Sequence, residues 1–508
     1  MLDGFLAAFG YLFSLRSDLL GVPLPVPFLL MMLGTALGIT VGAVPGLTGA
    51  MLISLTLPLT FSMDYATGHL DALILLVSMY VGSISGGLIT ATLLKMPGTP
   101  ASIMTTLDGY PMAQSGKPGR ALGLGISASF VGGMVSWFFL VLLAAPMAKI
   151  STKLGPYEFF SLVLMAMVLI ASVSSGSLIK GLFSGALGIL ATMPGTAPST
   201  GELRMTLGFV ELNDGLKLLP VLIGLFAVGQ VITDIIQIDR KPETVEVSRE
   251  GMLMSWADWK RQLINLLRSS FIGTWIGILP GIGANIGSVM AYSAAKNLSK
   301  EPEKFGDGAD EGIVASEAAN NATVGGALIP LIAMGIPGSV IDAILLGALV
   351  IHGLQPGPLL FQSDPNAVCI IMVTMLVANV FMFAFMVSTV GWLAELMYVR
   401  RSYLIPAILV FCVIGSYALS NRMFDVWVML AFGLIGFTLD RCKIPLAPFV
   451  IGLVLAPVAE EKLASGLMLY GGSYLPIVTR KISLAFFIVA AVLLVWPFIK
   501  ARKRQAAD

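Results

Sequence analysis

Four Pro-Gly pairs interrupt stretches that would otherwise read as membrane spans, and they constrain the fold more than any other feature. They are Pro45-Gly46 in GAVPGLTGA, Pro97-Gly98 in KMPGTPAS, Pro280-Gly281 in ILPGIGANIG and Pro337-Gly338 in GIPGSVID. Pro removes a backbone donor and Gly weakens a helix by roughly 1 kcal/mol, so each pair ends a helix within an apolar run. The solvent follows from composition: 56% of the 508 residues are hydrophobic, 12% are charged, and mean hydropathy is +0.90. That balance predicts an all-α, polytopic membrane protein of about 11–12 spans. Non-helical backbone at membrane depth persists only where it lines a cavity or is buried in protein.

The breaks recur in order across two halves separated by a polar stretch. PGLTG answers PGIGAN, Gly86-Gly87 with the second break answers Gly325-Gly326 with the fourth, and LLPVLIGLF (218–226) resembles PLAPFVIGLV (445–454). The expected division is an apolar N-terminal helix (1–24), repeat one (25–237), a cytoplasmic linker (238–261), repeat two (262–461) and a C-terminal amphipathic segment with a final helix and basic tail (462–508). Basic residues set orientation, since loops rich in Lys and Arg stay cytoplasmic. Residues 17–94 carry no Lys or Arg, whereas Lys260, Arg261, Arg268, Lys296, Lys300 and Lys304 flank PGIGAN, and 305–399 carry none. The two repeats are therefore expected to be inverted in the membrane, with KARKR (500–504) at a cytoplasmic C-terminus. Segments 263–279 and 282–297, each about 16 residues, are short for spans and predict a re-entrant hairpin with PGIGAN at its tip. Segments 30–44 and 47–62 predict its counterpart, and 70–107 and 313–351 predict interrupted transmembrane helices. Hairpin tips and broken helices about a pseudo-two-fold axis are how many secondary transporters build a central site.

A half-helix that starts after Pro-Gly aims unpaired N–H groups at the cavity, which suits a carboxylate. Thr48, Gly49, Thr99, Ser102, Gly283 and Ser339 are the candidate substrate residues, with Lys95 as a cation that either attracts an anion or snorkels to a surface. The preceding half-helices end on free carbonyls that suit a hard cation such as sodium, giving Gly46, Gly281, Asn285, Asn320, Asn321, Thr323 and Asp342 as cation candidates, with Ser288 nearby. Small and hydroxyl residues also serve as packing surfaces in membrane helices, and Glu317 reads either as a helix-dipole partner or as a functional carboxylate.

Other classes have little support. A net charge of +1 offers no basic face for nucleic acid. Cys369, Cys412 and Cys442 are scattered, His69 and His352 are expected in extramembrane loops, and no transition-metal spacing, ATP-binding loop or catalytic constellation occurs. The N-terminus has no basic n-region and is expected to be retained as a helix. Neither an enzyme nor a cofactor beyond a coupling ion is expected. The alternatives are a passive anion channel, which would want a continuous polar pore, and a non-transport membrane subunit.

The runs SEAANNATVGGALIPLIAMGIPGS, GALVIHGLQPGPLLF, MPGTPASIMTTLDGYPMAQSGKPGRALG and MPGTAPSTGELR, with PGLTGAM and PGIGAN, resemble the large membrane subunit of the tripartite tricarboxylate transporters, the TctA family. The resemblance runs from about residue 20 to 465. It implies a bacterial inner-membrane permease that works with a small four-helix membrane subunit and a periplasmic solute-binding protein. Uptake of citrate or another di- or tricarboxylate would be a symport with an ion, typically sodium, and a homo-oligomer is left open. By analogy with other inverted-repeat carboxylate carriers the mechanism is expected to be alternating access of the elevator type. One position departs from the pattern: Lys95 stands where such proteins more usually carry a neutral polar or small residue.

Overall fold

The computed structural model describes every residue except 1, 18–22, 45, 67, 96–98, 174–176, 237–249, 396–400, 419 and 506–508. Pro45, the Met96-Pro97-Gly98 break and half of the expected linker (238–249) therefore lie outside the described residues. The first half contains α1 Leu2–Leu12, α2 Val26–Gly42, α3 Gly49–Ala66, α4 His69–Leu93, α5 Ile103–Gln114, α6 Pro118–Ser151, α7 Pro156–Val173, α8 Leu178–Ala191, α9 Leu218–Leu222 and α10 Gly229–Ile236. A π-helical segment, Ile223–Val228, fuses α9 and α10 into one 19-residue apolar unit. The second half contains α11 Trp256–Ile278, α12 Gly283–Leu298, α13 Asp310–Met334, α14 Val340–Ile351, α15 Leu360–Ser363, α16 Pro365–Glu395, α17 Arg401–Ala418, α18 Met423–Arg441, α19 Leu446–Leu469, α20 Pro476–Thr479 and α21 Lys481–Gln505. Sheet is confined, among the described residues, to two antiparallel pairs of two residues, Arg16–Ser17 with Pro23–Leu24 and Gly195–Thr196 with Leu203–Arg204.

This is an all-α polytopic membrane protein. Among the described residues, five helices, α4, α6, the α9–α10 unit, α16 and α18, are long and apolar enough to cross a bilayer, and seven shorter apolar helices of 10–17 residues accompany them. The helix breaks have local causes. Gly335 ends α13 in the left-handed region (φ 70), where its N–H and that of Ile336 bond back to Leu331 and Pro330, a termination that glycine adopts without a Cβ penalty. Ser339 then restarts the chain as α14 by accepting from the Asp342 N–H at 3.3 Å.

Glycines set how closely α2 packs on α4 and α11 on α13, and the two pairs share one geometry. A Cβ at Gly42 would lie 3.0 Å from Gly86 Cα, and one at Gly277 would lie 3.0 Å from Gly326 Cα. Likewise a Cβ at Gly38 would stand 2.4 Å from Met79 O, and one at Gly273 would stand 2.2 Å from Ala319 O. Such approach needs residues without side chains. The register differs from the one read in the sequence: Gly86 corresponds to Gly326, so the two Gly-Gly pairs are offset by one residue. Contact geometry decides this, because a helical neighbour is defined by the face it presents and not by the nearest identical letter.

The helices pack as two groups. One group joins α2–α6 to α11–α16, with α13 against α6, α11 and α12, and α4 against α2, α3, α5 and α16. The other joins α7–α10 to α17–α19, with α8 against α19, α18 against the π-helical segment and α10, and α21 against α7. Helices of one half thus pair with helices of the other. The groups meet where α3 packs on α17 and the π-helical segment, and where α14 packs on α19 and α9.

Three expectations about element bounds change. The N-terminal helix ends at Leu12, so it is about 16 Å long at 1.5 Å per residue and does not span. It is tied down by Tyr11 and Arg16, which bond the buried Asp71 carboxylate at 2.9 and 2.7 Å. Helix α11 starts at Trp256, inside the stretch read as linker, because Ser255 and Asp258 form a capping box. His352, expected in a loop, is buried at the end of α14 with Nε2 3.1 Å from Thr60 Oγ1; the short α14 stops beneath α3 instead of emerging.

Candidate functional site

The interrupted helices carry a line of polar groups through an apolar interior. Along α4, the Tyr80 hydroxyl lies 3.3 Å from Ser339 Oγ and donates to Asp342 Oδ2 at 3.4 Å, and Ser85 Oγ donates to Asn321 Oδ1 at 2.6 Å. Gly87 makes room for Thr99 and Ser102: a Cβ there would stand 2.4 Å from Ser102 Oγ and 2.9 Å from Thr99 Oγ1. Thr99 and Ser102 are buried and share a hydrogen bond of 2.8 Å. Tyr80 was not among the expected residues; its signal is a phenol placed among Ser78, Ser83 and Ser85 in an apolar helix.

The four half-helix starts are not equivalent. Thr48 caps α3 by accepting from Met51 N at 3.2 Å, and Ser339 caps α14. The starts of α5 and α12 have no side-chain cap, and α12 packs against α5 and the 3-10 turn Pro100–Ser102. Gly283, at φ 69, opens α12 with its would-be Cβ 3.7 Å from Ser339 Cβ, so the second tip meets the start of α14. Gly49 instead packs on α4, since a Cβ there would fall 2.2 Å from Ser83 Oγ.

The remaining candidates are dispersed. Asn320, Asn321, Thr323 and Asp342 are all buried. Asn321 uses its amide on the Glu317 carbonyl (3.2 Å) and its oxygen on Ser85, and Thr323 bonds the Asn320 carbonyl at 2.6 Å. Ser288 is buried and its hydroxyl meets no hydrogen-bond partner among the described residues. Gly281, at φ 70, has no room for a side chain because Ile170 of α7 fills the space. Gly46, at φ 92, faces the Asp234 carboxylate of α10, a neighbour that no sequence pattern announced. Asn285 is exposed on the tip. Lys95 is also exposed, at φ 55, with its ammonium 5.6 Å from the Tyr110 ring centroid.

Glu317 is buried two turns inside α13, whose first turn is already supplied with Asp310 and Glu311. It accepts from Thr105 Oγ1 of α5 at 2.5 Å and from Ser129 Oγ of α6 at 3.2 Å. At the charged end of the same helix, Arg120 bonds Asp258 (2.9 Å) and Asp310 (2.6 Å), and Arg261 bonds both acids. Charge-assisted bonds from Arg120, then from Ser255, hold the Asp258 carboxyl below the usual carboxylate range. Asp108 of α5 fixes the loop before α13 by accepting three backbone N–H bonds, from Gly306, Gly308 and Ala309, at 2.8, 3.0 and 2.8 Å.

Paired interrupted helices with a buried polar seam, in a polytopic all-α frame, define a membrane protein of the transporter class. The Tripartite tricarboxylate transporter TctA family matches residues 28–451, and the chain belongs to that family. It is 33% identical over 455 residues, 89% of each chain, to an uncharacterized 52.8 kDa protein in the TAR-I ttuC' 3' region of Agrobacterium vitis. It is 34% identical over 236 residues, 46% of this chain and 98% of the relative, to an uncharacterized protein in the TAR-II ttuC' 3' region of the same organism. No solved structure matches the chain.

Proposed function

We propose that this tricarboxylate-transporter membrane subunit is the permease of a binding-protein-dependent sodium symporter for tricarboxylates or related carboxylates. It resides in a bacterial inner membrane with its C-terminus in the cytoplasm. Its partners are a periplasmic solute-binding protein and a small four-helix membrane subunit, as the family description of a tripartite system suggests.

One observation carries the substrate reading: of the four half-helix starts, only those of α5 and α12 lack a side-chain cap, and these two pack on each other. Thr99 and Ser102 lie at the first of these starts and Gly283 at the second, and anions bind helix N-termini of this kind. A di- or tricarboxylate needs compensating positive charge in a low-dielectric site, and co-bound cations supply it. Among the residues considered for the cation, Asn320, Asn321, Thr323 and Asp342 are buried. The two helix groups support an elevator-type cycle. The α2–α6 and α11–α16 group carries both breaks and moves, while α7–α10 and α17–α19 form a scaffold; the two halves are inverted repeats, each with a re-entrant hairpin.

Reconstituted permease with its small subunit and binding protein, assayed with radiolabelled citrate and a panel of dicarboxylates, tests this. Saturable accumulation driven by an inward sodium gradient is expected. Uptake indifferent to both sodium and proton gradients, or flux that never saturates, sinks the symport reading and favours a channel.

A further inference from the structure

We propose that Glu317 and Asn320 of α13, with Thr105 of α5 and Ser129 of α6, form a binding site for one small monovalent cation, sodium. The proposal deepens the symport reading by giving the coupling ion a location. It rests on that reading only for its role in transport.

The Glu317 carboxylate is fully buried, and no Lys, Arg or His side chain forms an ion pair with it among the described residues. An isolated carboxylate in such surroundings is strongly unfavourable unless a positive charge joins it. Two neutral hydroxyls, Thr105 and Ser129, donate to it and keep lone pairs able to turn toward a cation. Asn320, one turn along the same face of α13, lies beside the carboxylate. It is also fully buried, and its carboxamide oxygen meets no hydrogen-bond donor among the described residues. A buried carbonyl oxygen left in that condition costs free energy, and coordinating a cation offsets that cost.

The donor set is all oxygen and carries one negative charge. That matches a hard monovalent ion; among the described residues no group of three or more carboxylate, His or Cys ligands gathers to suit a divalent one. On the packed elements, Asp310 is paired with Arg120 and Arg261, and Asp108 places one oxygen, Oδ1, on three backbone N–H groups. Position links the site to the substrate. Thr105 lies in the first turn of α5, whose uncapped start is one of the two proposed carboxylate anchors. A cation that orders Thr105 therefore orders that anchor, and the positive charge sits within one turn of the expected anion.

Binding of radiolabelled sodium to the purified protein, with choline replacing sodium at constant ionic strength, tests the site. Specific binding is expected in the native protein and is expected to be lost in Glu317→Gln. Asn320→Ala and Ser129→Ala keep the carboxylate and should raise the half-saturating sodium concentration about tenfold. Sodium binding by Glu317→Gln equal to that of the native protein overturns the proposal. If Glu317→Gln does not fold, unchanged half-saturation in both other variants overturns it. A stabilisation that Glu317→Gln abolishes but that follows pH and ignores sodium also overturns it, in favour of a proton site. Loss of sodium binding in Glu317→Gln alongside sodium-independent citrate uptake upholds the site and refutes the symport.

Discussion

Gly277 and Gly326 bring α11 and α13 together so closely that a Cβ on Gly277 would stand 3.0 Å from the Gly326 Cα, and Gly42 and Gly86 reproduce that distance between α2 and α4. A methyl at Gly86 would fall 2.3 Å from Ile39 O, and one at Gly326 would fall 2.3 Å from Thr274 O. Backbone cannot yield as a side-chain end can, so Gly86→Ala and Gly326→Ala should each cost about 1–3 kcal/mol. Melting of purified protein should show similar losses for the two, with no loss for Gly10→Ala, which lies in α1 and meets nothing within 4 Å. A large loss in only one of the pair would deny the equivalence of the two contacts.

The Ser85–Asn321 bond ties the two interrupted helices directly. Asn321→Leu leaves the buried Ser85 hydroxyl only its longer bond to the Val81 carbonyl, at 3.3 Å, and should cost about 1 kcal/mol or more. Adding Ser85→Ala removes the hydroxyl that lost its better acceptor, so the double variant should be destabilised by less than the sum of the two single changes. Strict additivity in melting experiments would argue that the bond contributes nothing.

Acid should release the latch of Arg120, Arg261, Asp258 and Asp310. The folded Asp258 carboxyl titrates below its unfolded value, so its stabilisation is complete above about pH 5 and fades as pH falls through about 4 toward the folded value. Asp258→Asn should therefore melt lower than the native protein at pH 7, with the gap narrowing below about pH 4. A gap of constant size across that range would mean the carboxylate charge is not the stabilising element.

Movement of one helix group against the other should be blocked by joining them. Leu218 of α9 touches α14, where a Cβ on Gly347 would stand 2.6 Å from Leu218 Cδ2. Oxidation of a Leu218→Cys, Gly347→Cys double variant should stop uptake in proteoliposomes, and a reductant should restore it. Full transport by the cross-linked protein would exclude relative sliding at this contact.

The mutual placement of Thr105 and Glu317 marks where reading the chain alone stops. Glu317 stands out in SEAANNATVGG as a charge in an apolar run, but Thr105 is one of many hydroxyls and only the fold of α5 back along α13 brings them to 2.5 Å. Asp234 beside Gly46 is a similar case, since α10 is distant in sequence from the first tip. Asn285, conspicuous as an amide in an apolar tip, turns out exposed.

The sequence by itself determined the membrane class, the positions of the breaks, the twofold recurrence of elements and the family, because those depend on local hydropathy, on Pro and Gly backbone chemistry, and on motif order. Tertiary structure decided which half-helix starts are left uncapped, which carboxylates are paired, and how the glycine registers match. Those are distances between segments far apart in the chain, and side-chain competition for each buried donor and acceptor settles them only once the helices are packed.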